Sequence, residues 1–297
     1  MNIGIFGVGS FGEKHINVLL DIKDFHIVGF FDPNQKRCAE IKKKYKLKSY
    51  SDATELIKEC DAIDIVSSTE THYKLIELAM KHKKHIFVEK PICRTNWEKE
   101  RLLEGSVIYP HVIQVGHIER YNPILRKKIF ELKEIETIQS IRTGQLNNRN
   151  KHTPITLDLM IHDIDLILEL MQSEIINITA EQESNHHHQR VCCKINFQNG
   201  KTANLLTERS DSINNSRKMT ITCINKIVEI DLLKRIAKDI KKGHTKTWDS
   251  GEKNTNPLKE ELLDFKKSIK QRKPPKVSVK ASCNAVEIAL KIEEIIN

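Results

Sequence analysis

The chain has 297 residues, of which 39% are hydrophobic and 30% charged, and its formal net charge is +9. This composition is typical of a globular protein of two domains or one large one, and no apolar run is long enough to span a bilayer. The basic balance would suit a nucleic-acid binder, but the lysines are scattered along predicted helices and only 5% of the residues are aromatic. We therefore expect neither nucleic-acid binding nor membrane insertion.

The cysteines and the first residues indicate the compartment. The seven cysteines are irregularly spaced without a Cys-x-x-Cys pair, and the chain opens with neither a basic leader nor a cleavage site. These features predict reduced thiols in a cytoplasmic protein rather than disulfides or a structural zinc site. Three consecutive histidines at 186–188 could bind a transition metal, but their polar surroundings favour a hairpin connection, and no metal site is predicted.

The first predicted strand, residues 2–6, leads into a glycine-rich turn and then a helix. In a dinucleotide-binding turn the first glycine permits the bend, the second lets the backbone approach the pyrophosphate, and the third lets the helix pack on the strand. The helix N-terminus adds free N–H groups and a positive dipole end for the phosphates. The turn therefore predicts a cofactor site that contains Gly7, Gly9, Ser10, Phe11 and Gly12.

The second predicted strand, residues 27–31, ends at Asp32, twenty residues after Gly12. An acidic residue at this spacing binds the adenine ribose hydroxyls and disfavours a 2′-phosphate, which predicts NAD rather than NADP. The alternative is a turn residue before Pro33, and the spacing favours the cofactor role.

Strands and helices then alternate, which predicts a doubly wound parallel sheet. The predicted helices are residues 35–45, 53–60 and 72–82, and the predicted strands are 62–66, 86–88 and 112–115. The strand at 86–88 is followed by Glu89, Lys90 and Pro91, and it stops there because proline cannot donate to a ladder. Ligands bind outside the carboxyl ends of such strands, so Lys90 is predicted at the mouth of a site, with a solvated surface lysine as the alternative.

After residue 118 the pattern predicts an α+β domain with a largely antiparallel open sheet. Strands are predicted at 137–146, 175–183, 191–197, 202–207, 219–224 and 226–230, and helices at 123–133, 155–171, 258–270 and 281–296. Asn199-Gly200 predicts a hairpin turn, and the polar residues 243–256 predict a mobile loop. The predicted domains are an NAD-binding Rossmann domain at 1–118, a substrate-binding and oligomerisation domain at 119–280, and a C-terminal helix at 281–297 that packs back toward the first domain.

Asp158 and His162 are four residues apart in a predicted amphipathic helix and should share one face. A carboxylate beside an imidazole raises its basicity and fixes its tautomer, as a general base requires. A structural Asp–His pair is one alternative. A metal site is another, for which two ligands are too few.

Four motifs together resemble the glucose–fructose oxidoreductase/inositol dehydrogenase family (Gfo/Idh/MocA), and they occur in the family's order. They are the glycine turn at 7–12, Thr69-Glu-Thr-His72, Glu89-Lys90-Pro91 and Asp158-x-x-x-His162. The resemblance implies that His162 accepts the hydroxyl proton, Lys90 holds and polarises that oxygen, and Asp158 orients His162. It also implies cofactor contacts from Ser67, Thr69, His72, Glu89 and Lys90, whereas Ser68 departs from the proline usual in the family.

The stretches 116–123 and 158–165 are similar to the UDP-N-acetylglucosamine 3-dehydrogenases of this family, whose 3-keto product a partner aminotransferase converts to the 3-amino sugar of some lipid A molecules. The similarity implies a UDP-sugar substrate, lined by Lys90, Arg120, Tyr121, Asn122, Asp158 and His162. Arg120 would pair with the diphosphate, and Asn122 with the acetamido group or a sugar hydroxyl. An ion pair of Arg120 with Glu119 or another acid is the alternative.

The family resemblance further implies a homodimer or homotetramer. Two other functions stay open: a dehydrogenase of another sugar, an inositol or another UDP-sugar, and a non-catalytic NAD-binding regulator on the same fold. The presence of Lys90, Asp158 and His162 argues against the regulator, because a sensor does not need them.

Overall fold

A computed structural model of the chain describes residues 1–129, 132–146, 153–252 and 254–297. The chain divides into two compact units, the first made of Met1–Ile118 and Asn256–Cys283, the second of Glu119–Thr255 and Asn284–Asn297. The first unit thus includes residues 256–280, which the sequence analysis placed in the second domain. Residues 284–297 belong to the second unit, although their helix was expected to pack toward the first domain.

The first unit is built on a six-stranded parallel sheet in the order β3-β2-β1-β4-β5-β6. Its strands are β1 (Asn2–Phe6), β2 (His26–Phe31), β3 (Ser49–Tyr50), β4 (Ala62–Ile65), β5 (His85–Glu89) and β6 (Ile113–Gly116). This is the strand order of a doubly wound dinucleotide-binding fold, and the order reverses between β1 and β4. The predicted Rossmann-type sheet is confirmed.

Helices cover this sheet and flank the second one. They are α1 (Ser10–Leu20), α2 (Gln35–Tyr45), α3 (Ala53–Glu59), α4 (Thr69–Lys81), α5 (Asn96–Val107), α6 (Pro123–Ile129), α7 (Ile161–Met171), α8 (Pro257–Gln271) and α9 (Val279–Ile296). The sequence analysis missed α5, although Thr95 and Glu98 form a capping box at its start. The helix predicted over 123–133 is described as far as Ile129, and residues 130–131 lie outside the described residues. No helix in the described ranges has an apolar stretch of the length that a bilayer crossing needs.

The core of the first unit explains why α8 belongs to it. Leu258, Leu262 and Phe265 on one face of α8 are buried in the same cluster as the β1 side chains. The Phe265 ring lies 5.8 Å from that of Phe87 on β5, measured between centroids. Each fully buried side chain of this size contributes about 1.5–3 kcal/mol, so this face holds α8 on the sheet.

The second unit contains an eight-stranded sheet in the order β14-β13-β12-β11-β7-β10-β9-β8. Its strands are β7 (Ile135–Gln145), β8 (Ile175–Asn185), β9 (His188–Phe197), β10 (Thr202–Ser210), β11 (Ser216–Cys223), β12 (Lys226–Asp231), β13 (Ile236–Lys241) and β14 (His244–Asp249). Only β7 and β10 pair in parallel among these described strands. The prediction of a largely antiparallel sheet is confirmed.

The sequence predicted a turn of this sheet correctly but not the two strands at one of its edges. The turn at Asn199 and Gly200 joins β9 to β10, and Gly200 has a φ of +79°, as a hairpin glycine should. The prediction of a loop over 243–256 is wrong in its first half, because β14 forms the edge of the sheet there. Strand β13 was not predicted either. Side chains of β14 are almost all exposed, so the strand carries no apolar alternation that the sequence could show.

Candidate active site

The glycine turn leaves an open approach at its centre. Gly7 has a φ of +94°, and a Cβ there would lie 2.5 Å from the Cα atom of Ser67. A Cβ on Gly12 would lie 2.1 Å from the Gly7 carbonyl oxygen. At Gly9, by contrast, no heavy atom of the described residues lies within 4 Å of a Cβ position, apart from Gly9 itself and its two chain neighbours. Gly7 and Gly12 are therefore required by the fold, whereas Gly9 keeps space open in front of the turn.

The N-terminus of α1 faces the same opening. Gly9 is its N-cap and, as a glycine, has no side chain that could cap the helix. Ser10 and Phe11 are its first two residues. The first N–H groups of a helix lack intrahelical partners and attract anions, so this uncapped end fits a pyrophosphate. The glycine turn and the start of α1 thus fit a dinucleotide, and the open space at Gly9 is the observation that supports this fit.

Asp32 lies at the carboxyl end of β2, beside the turn. Its Oδ2 accepts a hydrogen bond from the Val8 N–H at 2.8 Å, and its Oδ1 accepts one from the Asn34 N–H at 2.8 Å. Arg37 lies close by, where an arginine could meet a 2′-phosphate. Its guanidinium instead donates to Glu13, to Glu40 and to the Val8 carbonyl oxygen. The Asp32 carboxylate and the Arg37 guanidinium are thus both held by contacts within the first unit.

The loop after β4 supplies three of the predicted cofactor residues. Ser67 lies 2.6 Å from Thr71, hydroxyl to hydroxyl, and Thr69 begins α4. His72 is buried, with Nδ1 2.8 Å from the Pro91 carbonyl oxygen and Nε2 3.1 Å from that of Ser67. Burial lowers its pKa. His72 therefore holds the β4–α4 loop to the segment after β5.

Lys90 follows β5 and is half-buried, and its N–H donates to Glu89 Oε2 at 3.3 Å. Glu89 itself is buried and belongs to a charge cluster that the sequence analysis missed. His15 Nε2 lies 3.4 Å from Glu89 Oε1, and His15 Nδ1 lies 2.9 Å from Asp64 Oδ2. Burial alone would lower the pKa of His15, but the two carboxylates outweigh it and raise the pKa to about 10.

In the second unit Asp158 and His162 are both half-buried near the start of the predicted helix. The first turn of that helix, Thr156–Met160, is π-helical rather than α-helical, and α7 follows it. Single π turns occur frequently at functional sites. The prediction that Asp158 and His162 share one α-helix is therefore corrected. Asp158 lies in the wider π-helical turn, and His162 lies in α7.

Arg209 on β10 is a candidate residue that the sequence analysis missed. Its guanidinium lies 3.4 Å from Asp158 Oδ2, and it donates to Gln189 Oε1 and to the Thr153 carbonyl oxygen, each at 2.7 Å. Burial lowers its pKa, and the Asp158 carboxylate opposes that effect. Arg209 is thus a fixed cation beside the predicted orienting carboxylate.

Of the six residues predicted to line the substrate site, Arg120, Tyr121 and Asn122 are buried in the second unit. The Arg120 guanidinium donates to both carboxylate oxygens of Asp165 at 2.7 Å, and to Glu169. Asn122 donates to the Leu232 carbonyl oxygen at 3.0 Å and accepts from the Ile124 N–H, which caps α6. Tyr121 lies between them in the chain and is also buried. The contacts of Arg120 and Asn122 are those of structural residues.

A second buried ion cluster lies nearby in the same unit. Arg142 donates to both oxygens of Asp163, and Glu119 accepts from Arg142 and Arg217. Burial would raise the pKa of Glu119, but the two guanidinium groups outweigh it and lower the pKa. This cluster joins β7 and β11 to the start of α7.

The structure therefore gathers the predicted cofactor residues at the carboxyl edge of the first sheet, whereas Asp158 and His162 lie in the second unit with Arg120, Tyr121 and Asn122. The contacts of His15 with Asp64, of Arg37 with Glu13 and of Arg209 with Asp158 join residues at least 24 positions apart in the chain, so local spacing could not reveal them.

The histidines at 186–188 lie at the connection between β8 and β9, as the predicted hairpin requires. His187 lies 2.7 Å from Asp211, and His188 lies 3.0 Å from Glu208. In the described part of the chain, no three His, Cys, Asp or Glu side chains are grouped to hold a metal ion.

Comparison with known proteins agrees with the geometry of the first unit. Residues 1–117 match the oxidoreductase family GFO_IDH_MocA, which has an NAD-binding Rossmann fold. This part of the chain is a Gfo/Idh/MocA domain. Over the whole chain, the fold is similar to that of a solved UDP-N-acetylglucosamine 3-dehydrogenase from Acidithiobacillus ferrooxidans, which superposes with a TM-score of 0.93. That comparison covers 100% of this chain and 97% of the other, at 25% identity.

Two curated relatives align with the chain over about 61% of its length. A UDP-N-acetylglucosamine 3-dehydrogenase of Acidithiobacillus ferrooxidans is 31% identical over 183 residues, which is 61% of this chain and 57% of that protein. A myo-inositol 2-dehydrogenase of Thermotoga maritima is 30% identical over 194 residues, which is 61% of this chain and 58% of that protein. The aligned part thus spans less than two thirds of either relative.

Proposed function

We propose that this Gfo/Idh/MocA protein is an NAD-dependent dehydrogenase that oxidises the C3 hydroxyl of UDP-N-acetylglucosamine to the 3-keto sugar nucleotide. The observation that carries the oxidoreductase part is the open cradle at Gly9, in front of the uncapped N-terminus of α1. The substrate part is supported by the 31% identity to a UDP-N-acetylglucosamine 3-dehydrogenase.

The choice of NAD over NADP rests on Asp32 and Arg37. The Asp32 carboxylate would repel a 2′-phosphate and can accept hydrogen bonds from ribose hydroxyls. Arg37 is the cation that could offset this repulsion, but Glu13 and Glu40 already bind its guanidinium. Gly7, Gly9, Ser10, Phe11 and Gly12 would hold the pyrophosphate, and Ser67, Thr69, His72 and Glu89 would shape the remainder of the site.

Bound NAD would supply the hydride acceptor, and the side chains would handle the proton and the oxygen. His162 accepts the hydroxyl proton, and Asp158 orients its imidazole. Lys90 donates a hydrogen bond to the same oxygen and stabilises the negative charge that develops there. Arg209 adds a positioning role, because its guanidinium contacts Asp158.

The diphosphate role first assigned to Arg120 has less support than the other roles. A guanidinium already paired with both oxygens of Asp165 and with Glu169 would have to leave those carboxylates to bind a diphosphate. The assignment of Tyr121 and Asn122 to the substrate site likewise rests on the family resemblance. The proposed site for the uridine diphosphate therefore includes these residues as candidates to be tested singly.

Three further parts of the proposal rest on resemblance. They are a homodimer or homotetramer, a cytoplasmic location, and a partner aminotransferase that converts the 3-keto product to a 3-amino sugar for lipid A synthesis. Each can be tested separately from the dehydrogenase activity.

The experiment is NAD reduction, followed by nicotinamide absorbance, with UDP-N-acetylglucosamine, free N-acetylglucosamine, glucose and myo-inositol in parallel. A matched set contains the aminotransferase and glutamate, which remove a keto product that accumulates poorly. Turnover with the UDP-sugar alone supports the proposal. The 30% identity to a myo-inositol 2-dehydrogenase makes an inositol the second candidate, and turnover with myo-inositol alone would establish it instead.

Lys90→Ala separates catalysis from cofactor binding in the same assay. We expect unchanged NAD binding with turnover reduced at least about a hundredfold, the range that general acid–base and electrostatic groups contribute. Unchanged turnover would remove Lys90 from the mechanism. If none of the substrates gives NAD reduction although the protein still binds NAD, the non-catalytic regulator would be favoured.

A further inference from the structure

A buried charge cluster beneath the carboxyl edge of the first sheet is not used by the proposed chemistry. It consists of His15 on α1, Asp64 on β4 and Glu89 at the end of β5, and we call it the His15 cluster. His15 and Asp64 are completely buried, and Glu89 is 8% exposed. Burying charged groups is costly unless they pair, so such a cluster persists only where its geometry is well determined.

Three elements converge on the Glu89 carboxylate. Its Oε1 lies 3.4 Å from the His15 imidazole, and its Oε2 accepts the Lys90 N–H at 3.3 Å. A Cβ on Gly116 would lie 2.6 Å from Oε1, so the glycine on β6 leaves the space that the carboxylate occupies. Glu89 therefore links the phosphate-binding helix to the main chain of Lys90.

The cluster lies in the half of the sheet that would receive the nicotinamide nucleotide. A dinucleotide binds across the point where the strand order reverses, one mononucleotide on each half of the sheet. Asp32, at the end of β2, marks the adenosine half. Glu89 ends β5, on the other side of the reversal between β1 and β4.

We propose that His15 is a positioning residue for the nicotinamide end of the cofactor, which it serves by holding Glu89, and with it the Lys90 main chain, in place. The proposal rests on NAD being the cofactor of the proposed function. Without the imidazole, two carboxylates would face each other in a buried space. Asp64 is completely buried within β4, whereas Glu89 lies at a strand end, so Glu89 would turn away and displace the start of the Lys90 segment.

The test compares NAD with ADP-ribose, which carries the same adenosine and diphosphate but lacks the nicotinamide. In His15→Gln, we expect the dissociation constant of NAD to rise about tenfold and that of ADP-ribose to change less than about twofold. A merely structural role would weaken both ligands by the same factor, because both bind the N-terminus of α1.

Two further variants keep the result interpretable. Glu89→Gln preserves the shape of the side chain and should show the same selective loss, which also covers the case in which His15→Gln does not fold. His85→Gln is the matched control, because His85 lies on the same strand at its opposite end, where its Nδ1 accepts the Val112 N–H at 3.0 Å. It should change neither dissociation constant.

The proposal is supported if the His15 and Glu89 variants bind NAD more weakly but ADP-ribose almost as well as the wild type, and if His85→Gln binds both ligands as the wild type does. Equal weakening of both ligands, or no weakening, overturns it. Neither measurement involves a sugar, so a failed turnover assay would reject the proposed substrate without affecting this result. A wild-type protein that binds neither ligand would reject the NAD assignment and this proposal together.

Discussion

Gly9→Ala should strongly weaken cofactor binding while leaving the fold intact. Gly9 has a φ of −60° and a ψ of −168°, which alanine adopts without strain. Apart from Gly9 and its two chain neighbours, no heavy atom of the described residues lies within 4 Å of the added Cβ, so the methyl group points into the space in front of α1. That space is where the pyrophosphate must approach the backbone.

The substitution affects the free energy of unfolding and the free energy of NAD binding separately. Alanine is a poorer N-cap than glycine, but it reduces the entropy of the unfolded chain, so the net change in the free energy of unfolding is within about 1 kcal/mol. A charge-assisted hydrogen bond to a phosphate is worth about 1.5–3 kcal/mol. Loss of one to two such bonds weakens NAD binding by about 3 kcal/mol, which is roughly 150-fold in the dissociation constant.

The assay pairs NADH fluorescence titration with urea unfolding, and Gly12→Ala is its control. A Cβ on Gly12 would lie 2.1 Å from the Gly7 carbonyl oxygen, so the backbone must shift. We expect Gly12→Ala to lose about 3 kcal/mol of the free energy of unfolding, whereas Gly9→Ala loses only binding. A Gly9→Ala protein that binds NADH within threefold of the wild type would refute the placement of the pyrophosphate at Gly9.

Three other substitutions test different parts of the structure. Phe265→Ala should lower the free energy of unfolding of the first unit by about 3–5 kcal/mol in urea titration, because its ring is buried against Phe87. Glu13→Gln should cost about 1 kcal/mol at neutral pH, since Lys44 and Arg37 lower the pKa of Glu13 to about 2. That difference should persist above pH 4.5 and shrink as the pH falls toward 2, because the stabilisation is lost when the carboxylate protonates. Arg209→Lys should lower kcat about tenfold with the dissociation constant of NADH unchanged, since its contact orients Asp158.

The first unit could be predicted closely because its signals are local. The glycine turn, the apolar strands and Asp32 at the end of β2 all lie within short stretches whose spacing has one structural meaning. The missed helix α5 also had a local signal, the capping box of Thr95 and Glu98. A systematic search for caps would have found it.

The second unit was less predictable because its determinants are distant in the chain or carry no pattern. The edge strand β14 is exposed along almost its whole length and therefore resembles a polar loop in sequence. The partner of Asp158 is Arg209, 51 residues away, and that of Arg120 is Asp165, 45 residues away. The sequence shows which charged residues the chain contains, but only the folded structure shows which of them form ion pairs across such separations.

The most direct test of the proposed reaction uses UDP-N-acetylglucosamine that carries deuterium at C3. Incubation with the protein and NAD is followed by mass spectrometry of the nicotinamide cofactor and of the sugar nucleotide. We expect reduced cofactor that contains one deuterium, formed in equal amount to a sugar nucleotide that has lost its C3 deuterium and the hydroxyl proton, and a primary isotope effect wherever hydride transfer limits the rate. Reduced cofactor without deuterium, or an oxidised sugar nucleotide that keeps its C3 deuterium, would contradict oxidation at C3.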